Sequence, residues 1–156
     1  MKALVNLLVK SAIILNYQAE DAKEVITALG DKLFDAGYVK ASFVEGALTR
    51  ENSMPTGLPL EGSVNAAIPH TDIEHVYKAG VAMATLTDPV IFQNMAIPDE
   101  AVQVRLVFLL ALDQPKAQIE MLQEIAGILQ NPELIERLME AARPEEIIRI
   151  FEDETE

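Results

Sequence analysis

The chain has 156 residues, half of them hydrophobic, with seven glycines, eight prolines and no cysteine. That suffices for one domain with an aliphatic core, and it argues against a low-complexity linker, a disulfide framework or a thiol nucleophile. The formal net charge of −13 argues against nucleic acid or an anionic membrane as the main partner, because both need clustered Lys and Arg.

The start, Met1-Lys2 followed by Ala3-Leu4-Val5-Asn6-Leu7-Leu8-Val9, slightly resembles a signal peptide. Lys10 interrupts it, and no convincing small-x-small cleavage site follows. No uncharged run exceeds ten residues, against the roughly 20 needed to span a bilayer. A cytoplasmic protein without membrane insertion is the expectation.

Ala12-Ile13-Ile14-Leu15 reads as a strand. The polar stretch Asn16 to Asp21 leads into a helix, with Val25, Ile26, Leu29, Leu33 and Phe34 at helical spacing and Gly37 as its stop. Phe43, Val44, Ala47 and Leu48 mark a second helix that frays near Asn52. Arg50 emerges at the edge of its buried face.

Residues 53–65 carry Pro55, Gly57, Pro59 and Gly62. They form a long loop, and long ordered loops in compact domains are often functional. Ala66 to Pro69 reads as a strand ending at His70, Gly80 to Thr87 as another, and Val90-Ile91-Phe92 as a brief edge strand. Val102 to Leu112 is a nearly continuous apolar run and the best candidate for a central strand buried on both faces.

Pro115 fits the first turn of a helix, where its missing N–H costs nothing. The expected core stripe of that helix is Ile119, Leu122, Ile125, Ala126 and Leu129. Asn131-Pro132 starts the next helix (Leu134, Ile135, Leu138, Met139), and Arg143-Pro144 the last (Ile147, Ile148, Phe151). Residues 131–156 hold nine acidic side chains and three arginines, which reads as a solubilising segment. The predicted architecture is one α/β or α+β domain, residues 1–156, with a mixed sheet of about five strands flanked by helices.

His70 is the first place to look for chemistry near neutral pH, since its ordinary pKa of about 6.5 leaves the ring largely neutral yet basic. It sits where a strand hands over to a loop, at the sheet rim where α/β proteins place ligands. Pro69 fixes its own φ and holds Ile68 extended, so the imidazole stands on a stiff stalk. On spacing alone, a structural histidine is the competing reading. A metal site built on His70, Asp72, Glu74 and His75 lacks a helical period and further ligands. His75 reads as a surface residue. No G-x-S-x-G elbow, P-loop or dinucleotide turn is present. Arg50 matters only if the loop folds it back beside His70, where a guanidinium complements phosphoryl oxygens.

Thr49-Arg50-Glu51, the loop with Pro55-Thr56-Gly57-Leu58, and then Ala67-Ile68-Pro69-His70 resemble the fructose/mannitol-type enzyme IIA domains of the bacterial sugar phosphotransferase system. The order of elements matches too, over about residues 10–152. The resemblance implies a phosphotransferase with a five-stranded mixed sheet and no metal or other cofactor. It implies that His70 takes a phosphoryl group from the carrier HPr as a tele-phosphohistidine and passes it to a cysteine of a IIB component, which serves a IIC transporter. It implies that Arg50 stabilises the phosphate. Mannitol-type members carry a second histidine early in the helix after the buried strand, and here that position is Gln118. An amide can hydrogen-bond a phosphoryl oxygen but carries no positive charge. The loop before His70 is longer than in mannitol-type members, and Thr71 stands where a glycine often follows the histidine. Thr56-Gly57-Leu58-Pro59-Leu60-Glu61 together with Gln118 is most similar to the galactitol-specific branch. An apolar rim of Met54, Leu58, Leu60 and Ile73 is expected around His70, to exclude water during transfer. The competing role is that of a regulatory, nitrogen-type IIA relative, which is phosphorylated but acts by binding other proteins.

Overall fold

A computed structural model describes residues 2–155. Five strands form one mixed sheet: β1 (Leu8–Tyr17), β2 (Gly57–Leu58), β3 (Asn65–Ala67), β4 (Gly80–Gln93) and β5 (Ala101–Ala111), in the order β1-β4-β5-β3-β2. Six α-helices of the described residues surround it: α1 (Lys2–Leu7), α2 (Ala22–Asp35), α3 (Phe43–Ser53), α4 (Pro115–Leu129), α5 (Pro132–Glu140) and α6 (Pro144–Thr155). None is long and apolar enough to cross a membrane.

The apolar run at 102–112 is the central strand, as expected. Its alternate side chains serve two cores. Leu106, Phe108 and Leu110 point into a layer shared with α1, α4, α5 and α6. Val107, Leu109 and Ala111 point into a layer shared with α2 and α3. Strand β3 runs parallel to β5 and β4 runs antiparallel to it. The C-terminal ends of β3 and β5 therefore share one edge of the sheet with the N-terminal end of β4, and His70 follows β3 there.

Local chemistry fixes the helix ends. The Asp21 side chain accepts from the Glu24 N–H at 2.8 Å and caps α2. Gly37, with φ of 84°, turns the chain out of it. Asn131 accepts from the Leu134 N–H at 3.2 Å, with Pro132 in the first turn of α5.

Four expectations need correction. Residues 2–7 form a helix, and β1 begins at Leu8 rather than Ala12. Val90-Ile91-Phe92 is no separate edge strand. It continues β4 past a register shift between Thr85 and Val90 and pairs with Gln103 and its neighbours in β5. Pro89 lies within that irregularity, and the register of β1 reaches β4 only to Leu86, so no ladder bond is demanded of it there. The loop 53–65 contains β2. In α4 the buried stripe is Met121, Ile125, Ile128 and Leu129, while Ile119 is 61% exposed and Leu122 is 36% exposed.

The end of β4 reaches the edge of β2. Gly57 bridges to Asn94, and the Met95 N–H donates to the Gly57 carbonyl at 2.8 Å. A Cβ at Gly57 would lie 2.6 Å from the Gln93 carbonyl oxygen and 3.2 Å from Phe92 Cβ. The backbone oxygen cannot swing aside, so Gly57→Ala separates β2 from this turn. The expected loss is about 3 kcal/mol, the upper end for overpacking, read as a fall in the urea midpoint with unchanged slope. A midpoint equal to wild type contradicts the contact.

Candidate active site

His70 is held from both sides of β3. The Ile68 N–H donates to the Thr56 carbonyl at 3.4 Å, and the Leu110 N–H donates to the Pro69 carbonyl at 3.0 Å. His70 itself forms an isolated parallel bridge with Leu110. The segment that reads as a stiff stalk is thus pinned to the β2 loop and to the central strand.

The ring is half-buried, and its Nδ1 lies 2.9 Å from the Ile68 carbonyl oxygen. A carbonyl can only accept, so Nδ1 carries the hydrogen. In the neutral ring the lone pair then resides on Nε2, which has no hydrogen-bond partner among the described residues. Burial is the main influence that lowers the His70 pKa from its ordinary value. The Ile68 carbonyl opposes that shift, the Arg50 charge adds to it, and the Asp72 charge opposes it. The ring therefore stays uncharged at a more acidic pH than an exposed histidine.

Arg50 stands in the last turn of α3. Its Nη1 lies 3.6 Å from Asp72 Oδ1. Its Nε is buried without a hydrogen-bond partner. Gly46, one turn earlier, explains how α3 comes so close. A Cβ there would lie 2.9 Å from Thr71 Oγ1 and 3.0 Å from His75 Nε2. Glycine lets the helix lie directly on the turn after His70, and the next turn of the helix carries Arg50.

Glu51, the other half of the Arg-Glu pair, faces the loop. Its two carboxylate oxygens accept from the Thr56 N–H and the Thr56 hydroxyl, both at 2.8 Å. Burial raises its pKa, and the two Thr56 hydrogen bonds oppose the rise. Because the Thr56 carbonyl receives the Ile68 N–H, a hydrogen-bonded chain runs from Glu51 through Thr56 to the stalk of His70.

An open cleft of about 390 Å³ is walled by Thr49, Arg50, Met54, Asp72 and His75, with Arg50 rather than His70 in its lining. His75 is not simply a surface residue. It ends a short 3-10 turn (Ile73–His75), its side chain is only 21% exposed, and its Nδ1 lies 2.8 Å from Ser42 Oγ. That bond braces the turn after His70 against the start of α3.

Gln118 occupies the first turns of α4, half-exposed, on the face between the buried Met121 and Ile125 and the exposed Leu122. The helix starts just beyond the end of β5 that carries the bridge to His70. Among the described residues no hydrogen bond joins the Gln118 side chain to His70 or Arg50. Of the expected rim, Met54 (57%) and Ile73 (41%) are exposed. Leu58 and Leu60 instead pack against the core.

Sequence reasoning missed Gly46, and it gave Thr56 and Asp72 no part in holding the His70 stalk or Arg50. Gly46 did carry a signal, because an isolated glycine inside a helical pattern commonly marks close packing.

A single domain with a five-stranded mixed sheet and flanking helices is the fold of solved phosphotransferase IIA proteins. The mannitol IIA protein of Escherichia coli, solved in complex with phosphorylated IIB of the mannitol system, superimposes with a TM-score of 0.76 at 26% identity, over 94% of this chain and 97% of that one. The chain matches the family model of the phosphoenolpyruvate-dependent sugar phosphotransferase system, EIIA 2, over residues 6–154, and it belongs to that family of phosphotransferase components. The galactitol-specific EIIA component of Escherichia coli strain K12 is 32% identical over 136 residues, 87% of each chain. The mannitol-specific enzyme IIA component of Bacillus subtilis is 29% identical over 149 residues, 94% of this chain and 96% of that one.

Proposed function

We propose that this chain is the phosphocarrier of a sugar phosphotransferase system, with His70 Nε2 as the phosphoryl acceptor, HPr as the donor and a IIB cysteine as the recipient. The observation that carries the reading is the hydrogen bond from Nδ1 to the Ile68 carbonyl, which leaves the lone pair on Nε2. In the forward step an N–P bond forms at Nε2 while the N–P bond of the donor phosphohistidine breaks. The electron pair of the broken bond returns to the donor ring. The proton stays on Nδ1, hydrogen-bonded to the Ile68 carbonyl. Arg50 supplies positive charge where the transferred group is negative, and positioning with charge stabilisation does most of the work in phosphoryl transfer. The likeness to a galactitol-specific component supports a sugar or alditol of that kind as the cargo of the partner transporter. A cytoplasmic location follows from the same role.

The test is incubation with phosphoenolpyruvate, enzyme I and HPr. The expected product carries one acid-labile phosphoryl group, and nitrogen–phosphorus coupling assigns it to Nε2 of His70. Absence of the group, or coupling to Nδ1, overturns the assignment.

Gln118 enters as a neutral hydrogen-bonding neighbour of the phosphoryl group, in place of a second histidine. Gln118→His is expected to change the rate of at least one half-reaction by roughly tenfold, about 1.4 kcal/mol in barrier. Equal rates in both half-reactions place Gln118 outside the site.

A further inference from the structure

Asp72 has no part in the chemistry described so far, yet among the described residues it is the anionic side chain paired with Arg50. Its backbone is fixed. It precedes the short turn whose His75 N–H donates to the Asp72 carbonyl at 3.3 Å. Thr71 beside it is buried against Gly46. Its carboxylate is 69% exposed and lies 3.6 Å from Arg50 Nη1, while Arg50 Nε on the same guanidinium is buried without an acceptor.

Resting on the assignment of His70 as acceptor, we propose that Asp72 is a built-in counter-ion that restrains Arg50 and so keeps the phosphoryl group on His70 readily transferable. A phosphoryl group on Nε2 brings new anionic oxygens to a guanidinium that Asp72 already partly neutralises. Two anions then share one cation, and each is held less tightly than it would be alone. A carrier has to release what it accepts. An arginine without a counter-ion stabilises the loaded state and slows onward transfer, whereas an absent arginine fails to stabilise the transfer itself. Arg50 lowers and Asp72 raises the proton affinity of His70, as charges of opposite sign near the ring do. Asp72 acts through Arg50 and is therefore a positioning residue.

The measurement is the equilibrium constant for phosphoryl exchange between phospho-HPr and this protein, read by phosphorus NMR, for wild type, Asp72→Asn, Asp72→Glu, Arg50→Ala and the double variant Arg50→Ala/Asp72→Asn. Asp72→Asn is expected to shift the equilibrium roughly fivefold toward the phosphorylated protein, as fits a partly exposed ion pair. Asp72→Glu, which keeps the charge, is expected to stay within about twofold of wild type. In the Arg50→Ala background the Asn substitution is expected to change the constant less than about twofold, as independence from Arg50 would not allow. A constant unchanged in Asp72→Asn, a shift toward phospho-HPr, or a full shift that persists without Arg50 overturns the proposal. Failure of wild type to take up phosphate removes the His70 assignment and this proposal with it. Uptake by wild type with an unaltered Asp72→Asn constant removes the proposal alone.

Discussion

His70→Ala is expected to take up no phosphoryl group at all, and His70→Gln likewise, with the fold retained in both. The reason is chemical. Transfer needs a nitrogen lone pair that is neutral near pH 7 and free of hydrogen bonds, and in this protein His70 Nε2 has that status. The other histidine does not. His75 Nδ1 is engaged with Ser42 Oγ and its Nε2 faces Glu74 at 3.6 Å. Residual uptake in His70→Ala at the wild-type stoichiometry would move the acceptor elsewhere. The structural cost is modest. The bond from Nδ1 to the Ile68 carbonyl is lost, at about 1 kcal/mol. The acid side of the stability profile gives a second readout. His70 is less basic in the folded protein than in the unfolded chain, so the unfolded chain binds the extra proton. Stability is then complete above the ordinary pKa near 6.5 and declines as pH falls through the lowered folded value. His70→Gln removes that contribution, and its stability should fall less steeply below pH 6.5. An identical slope in both proteins would mean that burial of the ring has no effect on its charge.

The two ends of this site were legible for different reasons than the fold was. The central strand announced itself because eleven residues from Val102 are almost all apolar, and α4 and α5 because Pro115 and Pro132 stand in their first turns. Helix α1 was hidden because Leu7 and Leu8 join helix to strand with no breaker between them, and a continuous apolar run has no period to divide. Strand β4 appeared as two strands because Asp88-Pro89 looks like a turn. Its continuity depends on where β1 stops, which is a property of the sheet. In α4 two apolar stripes compete, Ile119 with Leu122 against Met121 with Ile125 and Ile128. Periodicity alone could not choose the phase. At the site, His70 and Arg50 were each marked by short neighbouring residues. What joins them was not local. Gly46 admits Thr71 and His75, and Glu51 reaches through Thr56 to Ile68, across separations that only the folded chain closes.

Arg50→Ala is expected to slow phosphoryl transfer into His70 about 10²- to 10³-fold, the range seen when one preorganised donor is removed from a developing anion. Arg50 Nε is buried without an acceptor in the unloaded protein, and a buried donor in that state raises the free energy of the fold. Such a group persists where an acceptor arrives later, and the oxygens of a phosphoryl group on Nε2 are acceptors of the right charge. The substitution should therefore leave stability nearly unchanged. It removes an orphaned donor, and the Asp72 pair it breaks is exposed enough to contribute at most about 1 kcal/mol. Arg50→Lys restores the charge but not the planar fork, and only part of the rate should return. The same substitution predicts a titration. Arg50 is one of the influences that lower the His70 pKa, after burial as the largest, so its removal raises the pKa. Proton NMR of the ring follows this directly. A wild-type transfer rate in Arg50→Ala separates Arg50 from the chemistry. An unmoved His70 titration would show that its charge does not reach the ring, and the electrostatic account of the site would then rest on burial alone.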